Sequence, residues 1–533
     1  MILTPNCRHC KQGFEIVDVD QQFYQELDLP IPQLCPDCRL RQRMAFRNER
    51  TLYSDHCANC QRGIITIYDP AKQFTVYCQE CWWGNKFDPL AFGRDFDFSK
   101  TLAEQLKDLY RAVPHVALYT TNCVNSEYNN FGLNLNHCYL LFGASNDENC
   151  LYGKFVIQSR DTVDALSSFS TELCYESVAS ERCYQCLYVT QSRDCRDCIM
   201  IADCQSCTDC IGCVGLQHKQ YYVFNQFVGK EAYEQIKANY LPLTNETISE
   251  LREKFKQLRA TLPYRASHIY ASENCTGDLI MNSANCQHCF DIKESENCRY
   301  VSNTPNGKDS YDCTFTSPLG VEHSYNACSS LGKDLLSTFL VWNCYDTAYS
   351  MECHNSHDLF GCVGLQKQQF VILNKQYTEE DYKALRAQIV ECLKETGEWG
   401  EYLHPSVTPF GYNETIAQEY FPLDPASATQ LGYQWHTIPD KSPAPATVGT
   451  QTCQQCQKSY RFVKAELDFY QKTKLPLPLL CSDCRRSRRI QERGPYRLWQ
   501  RTCSRCQQIV QTHYAPDQAA VIYCERCYRD TRE

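Results

Sequence analysis

From about residue 115 the chain alternates short polar turns with short apolar runs. Thr121-Asn122-Cys123, Asn136-His137-Cys138, Glu148-Asn149-Cys150, Glu181-Arg182-Cys183 and Arg193-Asp194-Cys195 are turns of this kind, and each turn is followed by a short run such as Tyr139-Leu140-Leu141-Phe142 or Arg299-Tyr300-Val301. In the second half, Ser272-Glu273-Asn274-Cys275, Ser283-Ala284-Asn285-Cys286 and Ser295-Glu296-Asn297-Cys298 recur 11 and 12 residues apart. A repeated turn plus a short strand, with no helix between, predicts a β-solenoid, because each rung is too small to bury its own face and stacks on its neighbours. Asn and Ser suit the turns, and Cys is small and apolar enough to stack in ladders inside. The region is itself double. Gly212-Cys213-Val214-Gly215-Leu216-Gln217 returns as Gly361-Cys362-Val363-Gly364-Leu365-Gln366, and Asn225 and Tyr233 return as Asn374 and Tyr382, all 149 residues on. Helical spacing is confined to a few stretches. Leu102, Leu106, Leu109 and Val113 mark one helix, stopped by Pro114. Lys230–Asn239 with Ile248–Leu262, and Glu379–Thr396, are helices placed to cap the two rung stacks.

The two ends carry a different pattern. Four C-x2-C pairs, Cys7/Cys10, Cys35/Cys38, Cys57/Cys60 and Cys78/Cys81, are repeated 446 residues later as Cys453/Cys456, Cys481/Cys484, Cys503/Cys506 and Cys524/Cys527. Each pair sets two thiolates on one tight turn, and two pairs close a tetrahedral zinc site with no vertex left for substrate. The sixteen thiols therefore predict about four Zn2+ per chain. Successive pairing is the simple arrangement; spacing also allows the first pair to join the third and the second the fourth. Phe23-Tyr24 and Leu29-Pro30-Ile31-Pro32 match Phe469-Tyr470 and Leu475-Pro476-Leu477-Pro478, and Asp37 and Arg39 match Asp483 and Arg485. On these motifs the first half of each arm resembles small zinc-ribbon or treble-clef domains, which implies structural zinc and little about partners.

Charge adds a question. Residues 451–533 hold 16 Lys/Arg against 8 Asp/Glu, residues 1–83 hold 9 against 10, and the whole chain carries −10, so the centre is strongly acidic. Arg39, Arg41 and Arg43 follow the second knuckle of the N-terminal arm, and Arg485, Arg486, Arg488, Arg489 and Arg493 follow that of the C-terminal arm. Guanidinium forks suit phosphate or carboxylate. They are candidate contacts to nucleic acid or an acidic protein, or else they pair with the chain's own acidic centre.

Mainly β architecture is expected, in six parts: double zinc modules at 1–83 and 451–533, a helical connector at 84–114, solenoid halves with capping helices at 115–262 and 263–400, and a Pro-rich packed linker at 401–450 that ends in a flexible stretch, Lys441–Thr450. The block Cys183, Cys186, Cys195, Cys198, Cys204, Cys207, Cys210 and Cys213 reads as a ladder in preference to a metal or iron–sulfur site, and Cys353-His354 with His357 as turn residues in preference to a reactive site. No Met1-proximal basic and apolar run marks a secretory signal, and no apolar stretch reaches the length of a membrane span. With zinc-type cysteines this points to the reducing cytoplasm; the oligomeric state is left open. Taken whole, the order resembles a group of uncharacterised Cys-rich proteins of candidate-phylum bacteria, carried by the arm pairs, Ser272-Glu273-Asn274-Cys275-Thr276-Gly277-Asp278, the two Gly-Cys-Val-Gly-Leu-Gln copies and Pro409-Phe410-Gly411-Tyr412-Asn413-Glu414. That resemblance implies intracellular zinc proteins and no assigned activity. G-x-S-x-G, Walker A, G-x-G-x-x-G and H-E-x-x-H motifs are missing. The expectation is a zinc-stabilised binding or scaffold protein without a clear catalytic site, with nucleic-acid binding through the arms and an enzyme built in the solenoid groove as alternatives.

Overall fold

The computed structural model describes residues 2–84, 86–316, 319–437 and 450–531, so the stretch expected to be flexible lies outside them apart from Thr450. The architecture is mainly β, with 12 α-helices among the described residues. None of these helices is long and apolar enough to cross a membrane. The chain gathers into two compact units, residues 1–118 with 269–437 and residues 119–268 with 438–533. Each unit therefore joins one terminal arm to one half of the repeat region, a grouping that reading along the chain does not reveal.

In the second unit an 11-stranded sheet runs in strict sequence order from Gln226–Phe227 back to Thr120–Thr121. Apart from the antiparallel edge strand Gln226–Phe227, its strands pair in parallel at a constant spacing: Tyr175 opposes Leu187, which opposes Ile199, which opposes Ile211, each 12 residues on. The first unit repeats this less evenly, opening with Ile269 opposite Ile280 at 11 residues. Asp278 opposes Phe290 and Phe290 opposes Ser302 at 12 residues, whereas Tyr311 opposes Tyr325 at 14 and Tyr325 opposes Leu336 at 11. The 12-residue spacing resumes at Gly332 opposite Cys344.

The backbone has a finer period of three. Asn149, Tyr152, Phe155, Gln158, Asp161, Asp164, Ser167 and Ser170 all have positive φ, and the pattern continues through both units. An isolated non-glycine residue in this region costs roughly 1–2 kcal/mol. Here each bend is tied to the preceding rung: Asn149 N donates to Asn136 O (2.9 Å) and Tyr152 N to Tyr139 O (2.9 Å). A bond of that kind returns about 1 kcal/mol net, and the turn aims the next side chain inward, where burial adds the rest.

Those inward residues explain the cysteine content. Cys138, Leu141, Ala144, Cys150, Val156, Cys174, Cys186, Val189, Cys198 and Cys210 are buried, every one of them at this third position. The inward residue's own N–H is carried by a side chain one rung earlier: Thr171 N donates to Ser159 Oγ (3.2 Å), Cys204 N to Ser192 Oγ (3.0 Å) and Ser356 N to Cys344 Sγ (3.4 Å). The same side chains donate to the carbonyl two residues back, as Cys186 Sγ does to Tyr184 O (3.4 Å). Cysteine, serine and threonine thus satisfy an amide that would otherwise be buried unpaired, at a cost of about 1–3 kcal/mol each. The ladder expected from size alone is a hydrogen-bonding device as well.

The helices at Lys230–Tyr240, Asn245–Thr261 and Glu379–Thr396 follow the last rungs closely as expected, burying Tyr233, Ile248 and Leu251 in one unit and Tyr382, Ile389 and Leu393 in the other. Pro409–Phe421 packs on the N-terminal arm of its own unit. Glu414 takes Lys72 (2.7 Å) and the hydroxyl of Tyr53, and Ile416 N donates to Arg47 O (3.0 Å).

Candidate metal centres

Each arm presents the same local construction twice. A C-x2-C turn closes a short antiparallel pairing, and the second pair begins a helix. In the C-terminal arm, Thr450–Thr452 and Ser459–Arg461 flank Cys453 and Cys456, and Cys481 caps the helix Ser482–Arg493. Trp499–Thr502 and Ile509–Thr512 flank Cys503 and Cys506, and Cys524 caps Glu525–Arg529. The N-terminal arm matches, with Cys35 capping Pro36–Met44 and Cys78 capping Gln79–Trp83. The residue after each first pair, Lys11, Gln61, Gln457 or Gln507, takes positive φ to close the knuckle.

Four groups result: Cys7, Cys10, Cys35 and Cys38; Cys57, Cys60, Cys78 and Cys81; Cys453, Cys456, Cys481 and Cys484; Cys503, Cys506, Cys524 and Cys527. Within each, all four sulfurs lie within 4.8 Å of one another, so the groups form from successive pairs. The Cys10–Cys35 and Cys506–Cys524 sulfurs are 3.7 Å apart, and Cys60–Cys78 and Cys456–Cys481 are 3.8 Å apart. A tetrahedron with metal–sulfur bonds of about 2.3 Å puts its sulfurs about 3.8 Å apart, nearly twice the about 2.05 Å of a disulfide bond. All 38 cysteines are free thiols.

Backbone amides favour the thiolate in each group. Cys35 N, Cys78 N, Cys481 N and Cys524 N donate to the sulfurs of Cys7, Cys57, Cys453 and Cys503 at 3.2–3.4 Å. Burial raises the Cys57, Cys453 and Cys503 thiols, but the amides of their own turns, Cys60 N, Cys456 N and Cys506 N among them, together with those above outweigh it and bring each down to about 6. The donor set, spacing and electrostatics fit a four-coordinate metal ion held by thiolates, with no vertex open to a substrate.

The arginine helices lie against the repeat region of their own unit. Arg485 Nε and Arg489 Nη1 each lie 2.7 Å from a carboxylate oxygen of Asp164, which is wholly buried. Arg485 also pairs with Glu466 (2.9 Å), which accepts from Tyr152 OH (2.7 Å). In the other unit Arg39 Nε and Arg43 Nη1 hold Asp312 at 2.9 and 3.0 Å, and Arg43 adds Thr314 and Asn326, each at 3.0 Å. The guanidiniums of Arg39 and Arg485 both sit 5.2 Å over a tyrosine, Tyr300 and Tyr152. The aromatic pairs of the arms complete the contact: Phe23 stacks on Tyr311 at 3.7 Å, and Tyr470 meets Tyr175 edge-on at 5.7 Å.

Of the two readings of these arginines, their burial favours pairing with the chain's own acidic centre over contact to phosphate. Arg39, Arg43, Arg485, Arg489 and Arg493 are buried. Arg488 is engaged by Glu176, and Arg41 lies 3.7 Å from the sulfur of Cys38. Only Arg41, Arg486 and Arg488 keep partial exposure. Their positive charge answers carboxylates placed inside the acidic centre, which no nearby sequence pattern revealed. Glu466 was legible, since an acid, Asp20, stands at the same position of the N-terminal arm. Asp164 and Asp312 were not, because their role depends on which rung faces which helix.

The other cysteines form no such group among the described residues. Cys183, Cys186, Cys195, Cys198, Cys204, Cys207, Cys210 and Cys213 belong to one buried core cluster. Cys353 is buried, and His354 is enclosed by Trp82, Trp83 and Trp342 at ring distances of 4.9–5.5 Å. Burial lowers its pKa to about 3, leaving a neutral ring in an aromatic cage. His357 stacks on Tyr345 at 4.5 Å and pairs with Asp358 at 2.8 Å. An open depression of about 680 Å³ over Glu273, Glu294 and Glu296 is lined otherwise by Ser, Ala and Asn, without the histidine or aromatic residues that a sugar-cleaving groove would add. No protein-family model matches the chain, and no curated protein matches it.

Proposed function

We propose that this is a zinc-stabilised intracellular binding or scaffold protein, with four structural Zn2+ and a β-solenoid in each unit braced by a zinc-ribbon or treble-clef arm. The observation that carries the proposal is the closed sulfur quartet at the root of each buried arginine helix. A metal there fixes Cys35 or Cys481, and so sets the helix whose arginines grip Asp312 or Asp164. The metal acts on shape and rigidity, the properties a binding surface needs. Zinc is favoured over other ions because four thiolates at this spacing suit a tetrahedral, redox-inert ion. A chain with 38 free thiols fits a reducing compartment. The nucleic-acid alternative loses its main support with the burial of the arginines.

Metal analysis of chelator-free protein, followed by affinity capture of the intact chain with and without nuclease, tests the proposal. About four zinc ions and a protein partner that survives nuclease treatment are expected. Absence of zinc, or partners that all vanish with the nucleic acid, would overturn it.

A further inference from the structure

The two units differ at one place where their repeats predict a match. In the first unit a groove between the N-terminal arm and the repeat rungs is filled by the chain's own segment Glu398–Leu403. Asn326 Nδ2 donates to Gly400 O (3.5 Å), and Trp399 Nε1 donates to Asp28 O (2.7 Å). Gly400 has positive φ and lies so close to Pro30 that a Cβ would stand 2.9 Å from its ring. Glu401 pairs with Arg8 at 3.4 Å, and Trp399 packs at 5.9 Å from Tyr349.

The second unit has the same walls. Pro476 corresponds to Pro30 and Tyr175 to Tyr325, and Glu176 follows clamped Asp164 by one rung as Asn326 follows Asp312. Among the described residues, no segment equivalent to Trp399-Gly400-Glu401 lies there. The helix Asn245–Thr261 approaches instead, with Asn245 Nδ2 donating to Leu477 O (3.4 Å), and leaves a cavity of about 260 Å³. Tyr175, Tyr188, Arg252, Pro476 and Leu479 line it. Leu477 and Leu479 are 40% and 42% exposed. Arg252 stacks over Tyr188 at 4.9 Å, and its half-exposed guanidinium lies 3.8 Å from Glu176.

We infer that this cavity is a docking site for an extended segment of a partner protein that carries an aromatic side chain followed by a carboxylate. The occupant's chemistry is set by what fills the same groove in the first unit. The aromatic ring enters between Tyr188 and Pro476, the backbone runs along the Leu477–Leu479 strip, and the carboxylate meets Arg252. Arg252 takes over the part played by Arg8, whose counterpart in the C-terminal arm is the neutral Gln454. The volume lies just under the roughly 300 Å³ at which small-molecule sites begin, which suits one anchoring side chain. This site names a partner class for the binding role proposed above and rests on that role.

The test is fluorescence anisotropy of a labelled synthetic peptide with the sequence of residues 397–405, titrated into the intact chain. Saturable binding is expected. Alanine in place of the peptide's tryptophan should weaken it at least 10-fold, and so should Ser249→Trp, which plugs the cavity mouth, and Arg252→Glu, which reverses the charge at its rim. No saturable binding, or binding unchanged in both protein variants, overturns the inference. The zinc content of the same samples separates the two proposals: a zinc-replete chain that ignores the peptide removes only the docking site, and a metal-free chain that binds it removes only the zinc reading.

Discussion

Replacing Asp164 by asparagine strikes the arginine clamp at its narrowest point. The carboxylate is wholly buried and serves both Arg485 and Arg489, each about 1% exposed. Asparagine keeps the shape and removes the charge. Arg485 retains Glu466 at 2.9 Å, while Arg489 is left with the carbonyl of Tyr152 at 3.1 Å. Breaking a buried pair costs about 3–5 kcal/mol, and the residual partners place this case near 3 kcal/mol, a factor of roughly 100 in an opening equilibrium. Hydrogen exchange by mass spectrometry reads that opening. Protection across Ser482–Arg493 should fall about 100-fold while the zinc content stays constant, since no ligand is touched. Asp161→Asn is the control. Asp161 meets Lys472, on the neighbouring helix Lys464–Thr473 of the same arm, at 3.5 Å, but that lysine is 62% exposed. Such a surface pair is worth about 0–1 kcal/mol, so protection should move less than fivefold. Equal effects from the two variants, or no effect from Asp164→Asn, would refute the reasoning.

Cys481→Ser should lower the zinc content by one ion, measured by native mass spectrometry, because it opens one of the four quartets. Asp147 stands at an inward position of the repeat core, where burial raises its carboxyl well above the usual range despite amide bonds from Ser159 and Ser145. A raised folded-state pKa supports stability below the ordinary value of about 4 and forfeits it as pH climbs through the folded value. Asp147→Ser, the residue type one rung on, should therefore raise the melting temperature more at pH 8 than at pH 4. Native alkylation with zinc retained should mark Cys123, Cys275 and Cys392 first, since they alone among the cysteines between the arms are partly exposed; peptide mapping checks this.

The quartets were legible because the ligands sit close in sequence and recur at an interval of 446 residues. The connector helix Leu102–Ala112 was legible from its apolar spacing and from Pro114. The repeat is legible at its coarse interval of 11 and 12 residues, whereas the finer period of three is masked in the sequence. Its signal is a small residue at every third place, as at Cys204, Cys207, Cys210 and Cys213, and it hides wherever Leu, Val or Ile takes the same position. The assignment of each arm to the other end's half was not legible. It depends on long-range pairs, such as Arg39 with Asp312, that no local propensity encodes.

Zinc K-edge X-ray absorption on chelator-free protein tests the central claim most directly. Four zinc ions per chain, each with a single shell of four sulfurs at about 2.3 Å, is the result expected from the quartets. A shell of mixed nitrogen and sulfur, or cysteines oxidised to disulfides with no metal present, would contradict it.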